Sequence, residues 1–230
     1  MNVNGTNHFA ALKYATLAIA AIAWGSTVSD SASAAEKIQL FNGKDLTGWK
    51  KFVKPGEAAD AADKIWKVSD GVIHCTGQPI GYILTEGEYD NYVLRLQWRF
   101  PGKPGNSGVF VHVVGPDEIW PKGVEAQLQS GAAGDFWLVG GAKLKIDETR
   151  FDKPSGRHYF RMKTDKAVEK PLGEWNQYEI TCDDDTIKLV VNGQLVNEGT
   201  NSELTRGRIL LQSEGAPIEF RNIELEPLKK

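Results

Sequence analysis

Glu125 lies in a segment, residues 124–129 (VEAQLQ), in which apolar and polar residues alternate strictly. Because successive side chains of a β-strand point to opposite faces, we expect Glu125, Gln127 and Gln129 to share one face, opposite three apolar residues. An acid between apolar neighbours on a central strand is costly unless it is paired or used, and a positioned carboxyl group can give or take a proton during catalysis. Glu125 is therefore a candidate general acid or base.

His112 lies in a second alternating segment, residues 109–113 (VFVHV). The alternation predicts that the three valines face one way and that Phe110 and His112 face the other. Histidine is the residue that most often serves as acid or base in enzymes, although a strand histidine can also be a packed residue satisfied by a neighbour. We expect His112 to be the proton-transfer partner of Glu125, and the sequence does not assign acid and base within the pair.

Two aromatic segments flank these strands, residues 116–121 (PDEIWP) and 134–137 (GDFW). We predict that both are loops that present Trp120 and Trp137, with Asp135 beside the second ring. A pyranose has an apolar face that packs on an aromatic ring, while amides and acids bind its hydroxyl groups. These loops and the polar strand faces together predict a carbohydrate-binding cleft. The alternative is that the two rings fold back as lids over the edge of the sheet.

The elements that must position these residues are β-strands along the whole mature chain. Alternating runs recur about every ten residues between turn signals such as Asp-Gly at 70–71 and Asn-Gly at 192–193, and no segment has a helical period of useful length. This pattern predicts an all-β protein, an antiparallel β-sandwich of two sheets. The predicted strands include 38–41, 66–75 with its central turn, 92–100, 178–182, 187–191, 194–196, 209–212 and 218–225. Two long excursions interrupt them, 54–64 with at most a short helix and 142–171 as a rim loop beside the cleft.

Residues 1–34 have the features of a secretory signal peptide. Lys13 precedes an apolar run at 14–25, and a Ser- and Ala-rich stretch ends in a small-residue cleavage pattern at 32–34 (ASA). The apolar run is shorter than the roughly 20 residues needed to span a bilayer. We therefore predict cleavage after this pattern, export to the periplasm or the medium, no membrane span in the mature protein, and a single domain over residues 35–230.

Charge, cysteine content and ligand spacing narrow the possible functions. A formal net charge of −3 and the lack of a basic run disfavour nucleic acids and membrane surfaces as partners. Cys75 and Cys182 are the only cysteines, and they could pair in an exported protein or remain buried thiols. No spacing typical of metal ligands is visible and no cofactor is evident, although Ca²⁺ held by loop oxygens would leave little trace in a sequence.

Seven segments of the chain occur in the order known from one protein family. They are LFNGKDLTGW, WKVSDGVI, GNSGVFV, GVEAQLQSG, GEWNQYEI, VNGQLV and LLQSEGAPIEFRNIELEPL, between Leu40 and Leu228. A single piece such as FNGKDL would be weak, but the ordered set is specific and covers nearly all of the mature chain. The chain therefore resembles the bacterial 3-keto-disaccharide hydrolase domain family, long catalogued as a domain of unknown function.

This resemblance implies a concanavalin A-like lectin and glucanase fold, a jelly roll with a sugar cleft on the concave face of one sheet. It also implies cleavage of a 3-keto disaccharide or 3-keto glycoside. The C2 hydrogen beside the ketone is acidic, so a base can remove it, the group on C1 leaves by elimination, and water adds back. We assign the acid and base to Glu125 and His112. The expected substrate ligands are Asn106, Phe110, Trp120, Gln127, Asp135, Trp137, Gln212 and Glu214.

One departure from the family pattern concerns Glu214. Many members follow the Leu-Gln of this motif with a polar residue, His and Gly, whereas residues 211–215 of this chain read LQSEG. A role that this His has in other members is therefore either absent here or taken by Glu214.

Two other functions remain open on the sequence. Aromatic rings, amides and one acid suffice for binding, so a non-catalytic, lectin-like module is the main alternative. Glucanases of this sandwich fold place their acids on one strand in a Glu-x-Asp-x-x-Glu pattern, and residues 125–130 (EAQLQS) lack the second and third carboxylates. Retaining hydrolysis needs two carboxyl groups about 5 to 5.5 Å apart, so a two-carboxylate glucanase is the least favoured alternative.

Overall fold

The computed structural model describes residues 36–58, 60–150, 156–164 and 167–229. The predicted signal peptide, residues 1–34, lies outside the described residues. In the described part of the chain there are seventeen β-strands, one short α-helix and one 3₁₀ turn at Glu148–Arg150. No described helix is long and apolar enough to cross a membrane.

The strands form two antiparallel sheets, which confirms the predicted all-β sandwich. In chain order the elements are β1 (Ile38–Gln39), β2 (Trp49–Val53), α1 (Ala61–Ile65), β3 (Trp66–Ser69), β4 (Val72–Cys75), β5 (Gly81–Thr85), β6 (Tyr89–Asp90), β7 (Tyr92–Arg99), β8 (Gly108–Val114), β9 (Lys122–Gln127), β10 (Phe136–Val139), β11 (Lys145–Ile146), β12 (His158–Tyr159), β13 (Asn176–Asp183), β14 (Thr186–Val191), β15 (Gln194–Thr200), β16 (Arg206–Ser213) and β17 (Ile218–Pro227). Sheet A has the order β11-β15-β14-β13-β7-β17-β4-β3, with β1 beside β17. Sheet B has the order β12-β10-β9-β8-β16-β5-β2, with β6 beside β16.

The hydrophobic core lies between the two sheets. On β7, Tyr92, Leu94, Leu96 and Trp98 alternate into this core and are fully buried, as the sequence pattern predicts. Removing one such side chain from water stabilises the fold by about 1.5–3 kcal/mol. Sheet A therefore contributes alternate residues of β7 to the core that it shares with sheet B.

A β-bulge in β8 overturns the predicted alternation of the VFVHV segment. The pairing of β8 with β9 shifts register after Val111, and His112 has a left-handed φ of 53°. A bulge adds one residue to a strand and so reverses the faces of the residues beyond it. His112 is consequently buried beside the ring of Tyr92, a core residue. Val113, which the alternation places with the core valines, instead packs with Phe110 in a separate apolar cluster.

The second aromatic segment is a turn and a strand rather than a loop. Asp135 precedes β10, which pairs with β9 on one side and β12 on the other. Phe136 is fully buried in the core, and Trp137 alternates to the opposite face. The prediction of a loop here is wrong because four residues are too few to show a strand period, and Phe136 serves the core.

The two predicted excursions contain regular structure. α1 is the short helix expected within residues 54–64. The excursion at 142–171 carries β11, the 3₁₀ turn and β12, and its residues 151–155 and 165–166 lie outside the described part. Because β12 pairs with β10 at the edge of sheet B, this segment extends the sheet and is not only a rim loop.

Cys75 and Cys182 are free thiols, both buried, so they do not form a disulfide bond. Burial raises the pKa of Cys75 to about 11 and that of Cys182 to about 12. Both side chains are therefore protonated at neutral pH and pack as small hydrophobic groups.

Candidate active site

A cleft of about 790 Å³ opens on the face of sheet B that alternates with the core-facing residues. Its volume lies in the ~300–1,000 Å³ range of ligand pockets. The predicted site residues that line it are Asn106, Trp120, Glu125, Gln127, Trp137 and Glu214. Four other predicted residues, Phe110, His112, Asp135 and Gln212, do not line it.

Glu125 lies at the middle of this face, with its Cα paired to Phe110 on β8 and to Trp137 on β10. The residue is 5% exposed, and no described residue forms a hydrogen bond or ion pair with its carboxyl group. Burial, and to a smaller extent the charge of Glu214, raises the pKa of Glu125 well above its usual range. The protonated form is therefore favoured, and Glu125 is suited to donate a proton.

Gly108 makes room for the Glu125 side chain. A Cβ at residue 108 would lie 2.3 Å from Oε1 of Glu125 and 2.9 Å from its Cδ and Cγ. No side chain larger than hydrogen fits there without moving the carboxyl group. The glycine is thus required by the close approach of Glu125 to the backbone of β8, since its φ does not lie in the left-handed region.

Glu214 brings a second carboxyl group to the cleft. It follows the end of β16 and bridges to Asn106, whose Nδ2 donates to Oε2 of Glu214 at 2.6 Å. Burial raises the pKa of Glu214, and the hydrogen bond from Asn106 acts in the opposite direction. Because Glu214 is only partly buried, its carboxyl group ionises more readily than that of Glu125. Glu125 and Glu214 thus line one cleft, although no second carboxylate follows Glu125 on its own strand.

Gln127 presents a fixed amide to the cleft. Its Oε1 accepts hydrogen bonds from the backbone N–H groups of Leu128 and Gln129, at 2.8 and 2.9 Å. These two bonds hold the carbonyl end of the side chain against the main chain. The Nε2 group has no acceptor among the described residues, so it is the end that can donate to a ligand.

Trp137 is held in place by His158, a residue that the sequence analysis does not identify. The two rings stack with centroids 4.1 Å apart and an interplanar angle of 10°. Oδ2 of the buried Asp135 lies 2.9 Å from Nε2 of His158, and Oδ1 accepts from the backbone N–H of Arg161 at 2.8 Å. Asp135 therefore supports the wall of the cleft from behind, and the His158 ring covers one face of Trp137.

Arg157 adds a positive charge to the cleft. Its guanidinium carbon lies 5.1 Å from the centroid of the Trp137 ring, which is within cation–π range. Arg157 belongs to the excursion at 142–171, which has no periodic pattern, so no signal in the sequence points to it. Trp120 lies on the loop at 116–121 and also lines the cleft. It is 40% exposed, and its ring has no stacked partner among the described residues.

His112 lies away from the cleft. It is fully buried, its Nδ1–H donates to the carbonyl oxygen of Leu204 at 2.8 Å, and burial lowers its pKa. The imidazole is thus neutral at pH 7. The expected pairing of His112 with Glu125 is not formed, because the bulge in β8 turns the imidazole towards Tyr92.

Phe110 and Gln212 are on the cleft side of sheet B but are covered. Phe110 is buried in the apolar cluster that it forms with Val113 and neighbouring residues of β5 and β16. Gln212 alternates with the core residue Leu211 and is also buried. A strand period predicts which face a side chain takes, and the residues that pack on that face decide whether it remains accessible.

The groups that line the cleft can transfer protons and bind hydroxyl groups. Glu125 and Glu214 are a carboxyl pair of unequal acidity, and Gln127 and Arg157 supply hydrogen-bond donors. Among the described residues, no three His, Cys, Asp or Glu side chains form a group that could hold a metal ion.

The sequence of the chain matches the family model of the 3-keto-alpha-glucoside-1,2-lyase-like domain over residues 36–226. A search of curated proteins found no match. Among solved structures, a protein from Parabacteroides distasonis, described provisionally as a glycosyl hydrolase, is 26% identical with a TM-score of 0.61, over 86% of this chain and 95% of that chain. The family match and this relative support a carbohydrate-acting, hydrolase-like function.

Two more distant structures concern the fold alone. A carbohydrate-binding module from Bacillus subtilis is 12% identical with a TM-score of 0.54, over 78% of this chain and 95% of that chain. A beta-glucanase from Bacillus licheniformis is 13% identical with a TM-score of 0.53, over 86% of this chain and 100% of that chain. These likenesses confirm the predicted concanavalin A-like jelly roll.

Proposed function

Because the chain belongs to the 3-keto-alpha-glucoside-1,2-lyase-like family, we propose that its cleft cleaves the glycosidic bond of a 3-keto disaccharide or 3-keto glycoside. The observation that carries this proposal is the pair of carboxyl groups, Glu125 and Glu214, that line one cavity with different burial. Two carboxyl groups whose environments separate their pKa values can hold one proton and accept another. An elimination followed by hydration requires both abilities.

In the first step, the carboxylate of Glu214 removes the proton from C2, beside the C3 ketone. The C1–O bond breaks as the C1–C2 double bond forms, and the leaving oxygen takes the proton of Glu125. The products are an unsaturated keto sugar and the free alcohol of the leaving group. The step needs one base and one acid but no nucleophile.

In the second step, water adds to the double bond. Its oxygen bonds to C1 while Glu125, now ionised, accepts its proton, and Glu214 returns a proton to C2. Both carboxyl groups end in their starting states. The net reaction is hydrolysis of the glycosidic bond.

Negative charge develops on the ketone oxygen while the C2 proton is removed, and preorganised donors stabilise such charge. Gln127 is the first candidate donor, because the main chain already holds its Oε1 and leaves Nε2 for the substrate. Arg157 is the second, since its guanidinium also lines the cleft. We assign Trp120, whose ring is partly exposed, as the wall on which the sugar stacks.

The experiment is to incubate the purified mature protein in D₂O with a 3-keto disaccharide and, separately, with its unoxidised parent. We expect release of the two sugars from the keto substrate alone, with deuterium at C2 of the released keto sugar by NMR and mass spectrometry. Incubations without protein and with Glu214→Gln control for spontaneous exchange. Release from the parent without exchange at C2 would instead indicate direct hydrolysis by the carboxyl pair and would refute the proposal.

Binding without turnover is the second candidate function. It is favoured by one observation: Trp120, which is 40% exposed, lines the same cleft as the fixed amide of Gln127. An aromatic ring and an amide suffice for sugar recognition. A protein that cleaves neither sugar but binds one of them in calorimetry would be a lectin-like module.

A further inference from the structure

Arg157 brings to the cleft a positive charge that no carboxylate of the described residues pairs with. The side chain is exposed, and its guanidinium lies over the ring of Trp137 with 5.1 Å between the guanidinium carbon and the ring centroid. Arg157 is not among the groups that shift the pKa of Glu125 or of Glu214. The charge of Arg157 is therefore available to a ligand.

Arg157 and Glu214 lie on opposite sides of Glu125. Arg157 directly precedes β12, and its carbonyl oxygen accepts a hydrogen bond from the backbone N–H of Leu138 on β10 at 2.7 Å. The strand order β12-β10-β9-β8-β16 places Glu125, on β9, between Arg157 and Glu214, which follows β16. Neighbouring strands are about 4.8 Å apart, so β12 and β16 are separated by roughly 19 Å along the sheet. This separation exceeds the Debye length of about 8 Å at physiological salt, so Glu214 does not neutralise Arg157.

The order of these groups determines which part of a substrate meets Arg157. In the proposed reaction Glu214 removes the C2 proton of the keto sugar, and Glu125 gives its proton to the leaving oxygen. The keto sugar therefore lies towards Glu214, and the leaving group lies beyond Glu125, towards β10 and β12. Trp137 and Arg157 line that end of the cleft.

The surroundings of Arg157 suit it to bind a carboxylate. Trp137, the ring beneath the guanidinium, is itself stacked on His158. The nearby carboxyl group of Asp135 is buried, and its two oxygens are already engaged by His158 and by the backbone N–H of Arg161. A guanidinium group presents a planar fork of N–H donors that matches a carboxylate in two parallel hydrogen bonds. A fixed ring beside this fork lowers the conformational entropy lost when an anion binds.

We propose that the leaving group of the substrate carries a carboxylate, and that Arg157 binds this carboxylate at the β12 end of the cleft. This inference rests on the proposed function, and it adds a specificity that the cleavage reaction itself does not require. The protein therefore favours a 3-keto glycoside with a carboxylated leaving group over a neutral one of the same shape.

The experiment compares two 3-keto disaccharides that differ only in the charge of the leaving sugar. One has a uronic acid as the leaving sugar, and the other has the corresponding uronamide. The variants are Arg157→Gln, which removes the charge, and Arg157→Lys, which keeps the charge but loses the fork. Arg221→Gln is the matched control, because Arg221 also lies over an indole ring, that of Trp175 at 4.0 Å, but does not line the cleft. Melting temperatures establish that each variant is folded.

The measured quantity is the ratio of kcat/KM for the uronic acid substrate to kcat/KM for the uronamide. Hydrogen bonds to charged groups are strong enough that we expect a ratio of about 10 in the wild type, falling to about 1 in Arg157→Gln. Arg157→Lys should give an intermediate ratio, and Arg221→Gln should keep the ratio of the wild type. Any contribution of Arg157 to the ketone oxygen affects both substrates and cancels in this ratio.

Two results would overturn the inference: a wild-type protein that does not prefer the uronic acid substrate, or a preference that persists in Arg157→Gln. If the wild type cleaves neither substrate, the proposed function fails separately. Calorimetry with the free uronic acid and its uronamide then decides the inference, which requires tighter binding of the uronic acid by the wild type and loss of that difference in Arg157→Gln.

Discussion

Replacing Gly108 with alanine should impair catalysis by displacing the carboxyl group of Glu125. The new Cβ would lie 2.3 Å from Oε1 and 2.9 Å from Cδ and Cγ of Glu125. Non-bonded heavy atoms prefer separations of about 3.5 Å, so the carboxyl group must move by roughly 1 Å. A misplacement of ~1 Å at a reacting group can cost about 10²-fold in rate. We expect a loss in kcat of that order.

Stability should change little in Gly108→Ala. The backbone at residue 108 is accessible to alanine, because its φ is not in the left-handed region. Losing a glycine lowers the conformational entropy of the unfolded chain, which raises the free energy of unfolding by about 0.4–1 kcal/mol. This gain offsets part of the strain from the displaced side chain. The loss of activity should therefore occur without a matching loss of the free energy of unfolding.

The assay is kcat for a 3-keto disaccharide, with the melting temperature measured on the same samples. Gly102→Ala is the matched control, since a Cβ there meets nothing within 4 Å. Adding Glu125→Asp to Gly108→Ala shortens the acid by one methylene and should restore part of the activity. Full activity of Gly108→Ala would contradict the argument, as would a loss of equal size in Gly102→Ala.

Four further predictions can be tested, three from the same geometry and one from the sequence. Glu125→Gln should lower kcat by about 10²- to 10⁴-fold and leave sugar binding nearly intact, as measured by steady-state kinetics and calorimetry. The folded protein holds the Glu125 proton more tightly than the unfolded chain does, because the pKa of Glu125 is raised in the folded state. The melting temperature of the wild type should therefore fall as pH rises from the ordinary carboxyl pKa towards the raised pKa of Glu125. This pH dependence should be weaker in Glu125→Gln. His112→Ala should lower the free energy of unfolding by about 1–3 kcal/mol in urea titrations, because it removes a buried hydrogen bond. Turnover should be retained, because His112 lies away from the cleft. A folded His112→Ala variant without activity would contradict the placement of His112 outside the active site. We propose that the chain is exported, so mass spectrometry of the secreted or periplasmic protein should find an N-terminus near Ala35 rather than Met1.

Turn chemistry made the hairpins of this fold predictable. The Asp-Gly and Asn-Gly turns adopt positive φ at both residues, 54° and 73° at Asp70 and Gly71, and 49° and 79° at Asn192 and Gly193. These residue types tolerate that backbone region, and the matching turn joins two adjacent strands. Signals of this kind are local, so they survive without knowledge of the rest of the chain.

The alternating segment around Glu125 was equally informative, because β9 is regular. Glu125 and Gln127 face the cleft, and their apolar neighbours Val124 and Ala126 face the core. The same reasoning was wrong for His112, where the bulge breaks the period. The bulge depends on Gly207 of the neighbouring strand β16, since a Cβ there would lie 2.5 Å from the backbone carbon of His112. No pattern within the VFVHV segment carries that information.

The sequence by itself determined the class of the fold, the hairpins and the strand face on which Glu125 and Gln127 lie, because alternation and turn preference act between residues close in the chain. Only the tertiary structure decided that Glu214 lies near enough to Glu125 to raise the pKa of its carboxyl group, that Arg157 lines the same cleft, and that His112 does not. These outcomes depend on sheet order, which places β16 and β12 near β9, and on burial by distant segments, which sets the accessibility and the pKa of each group.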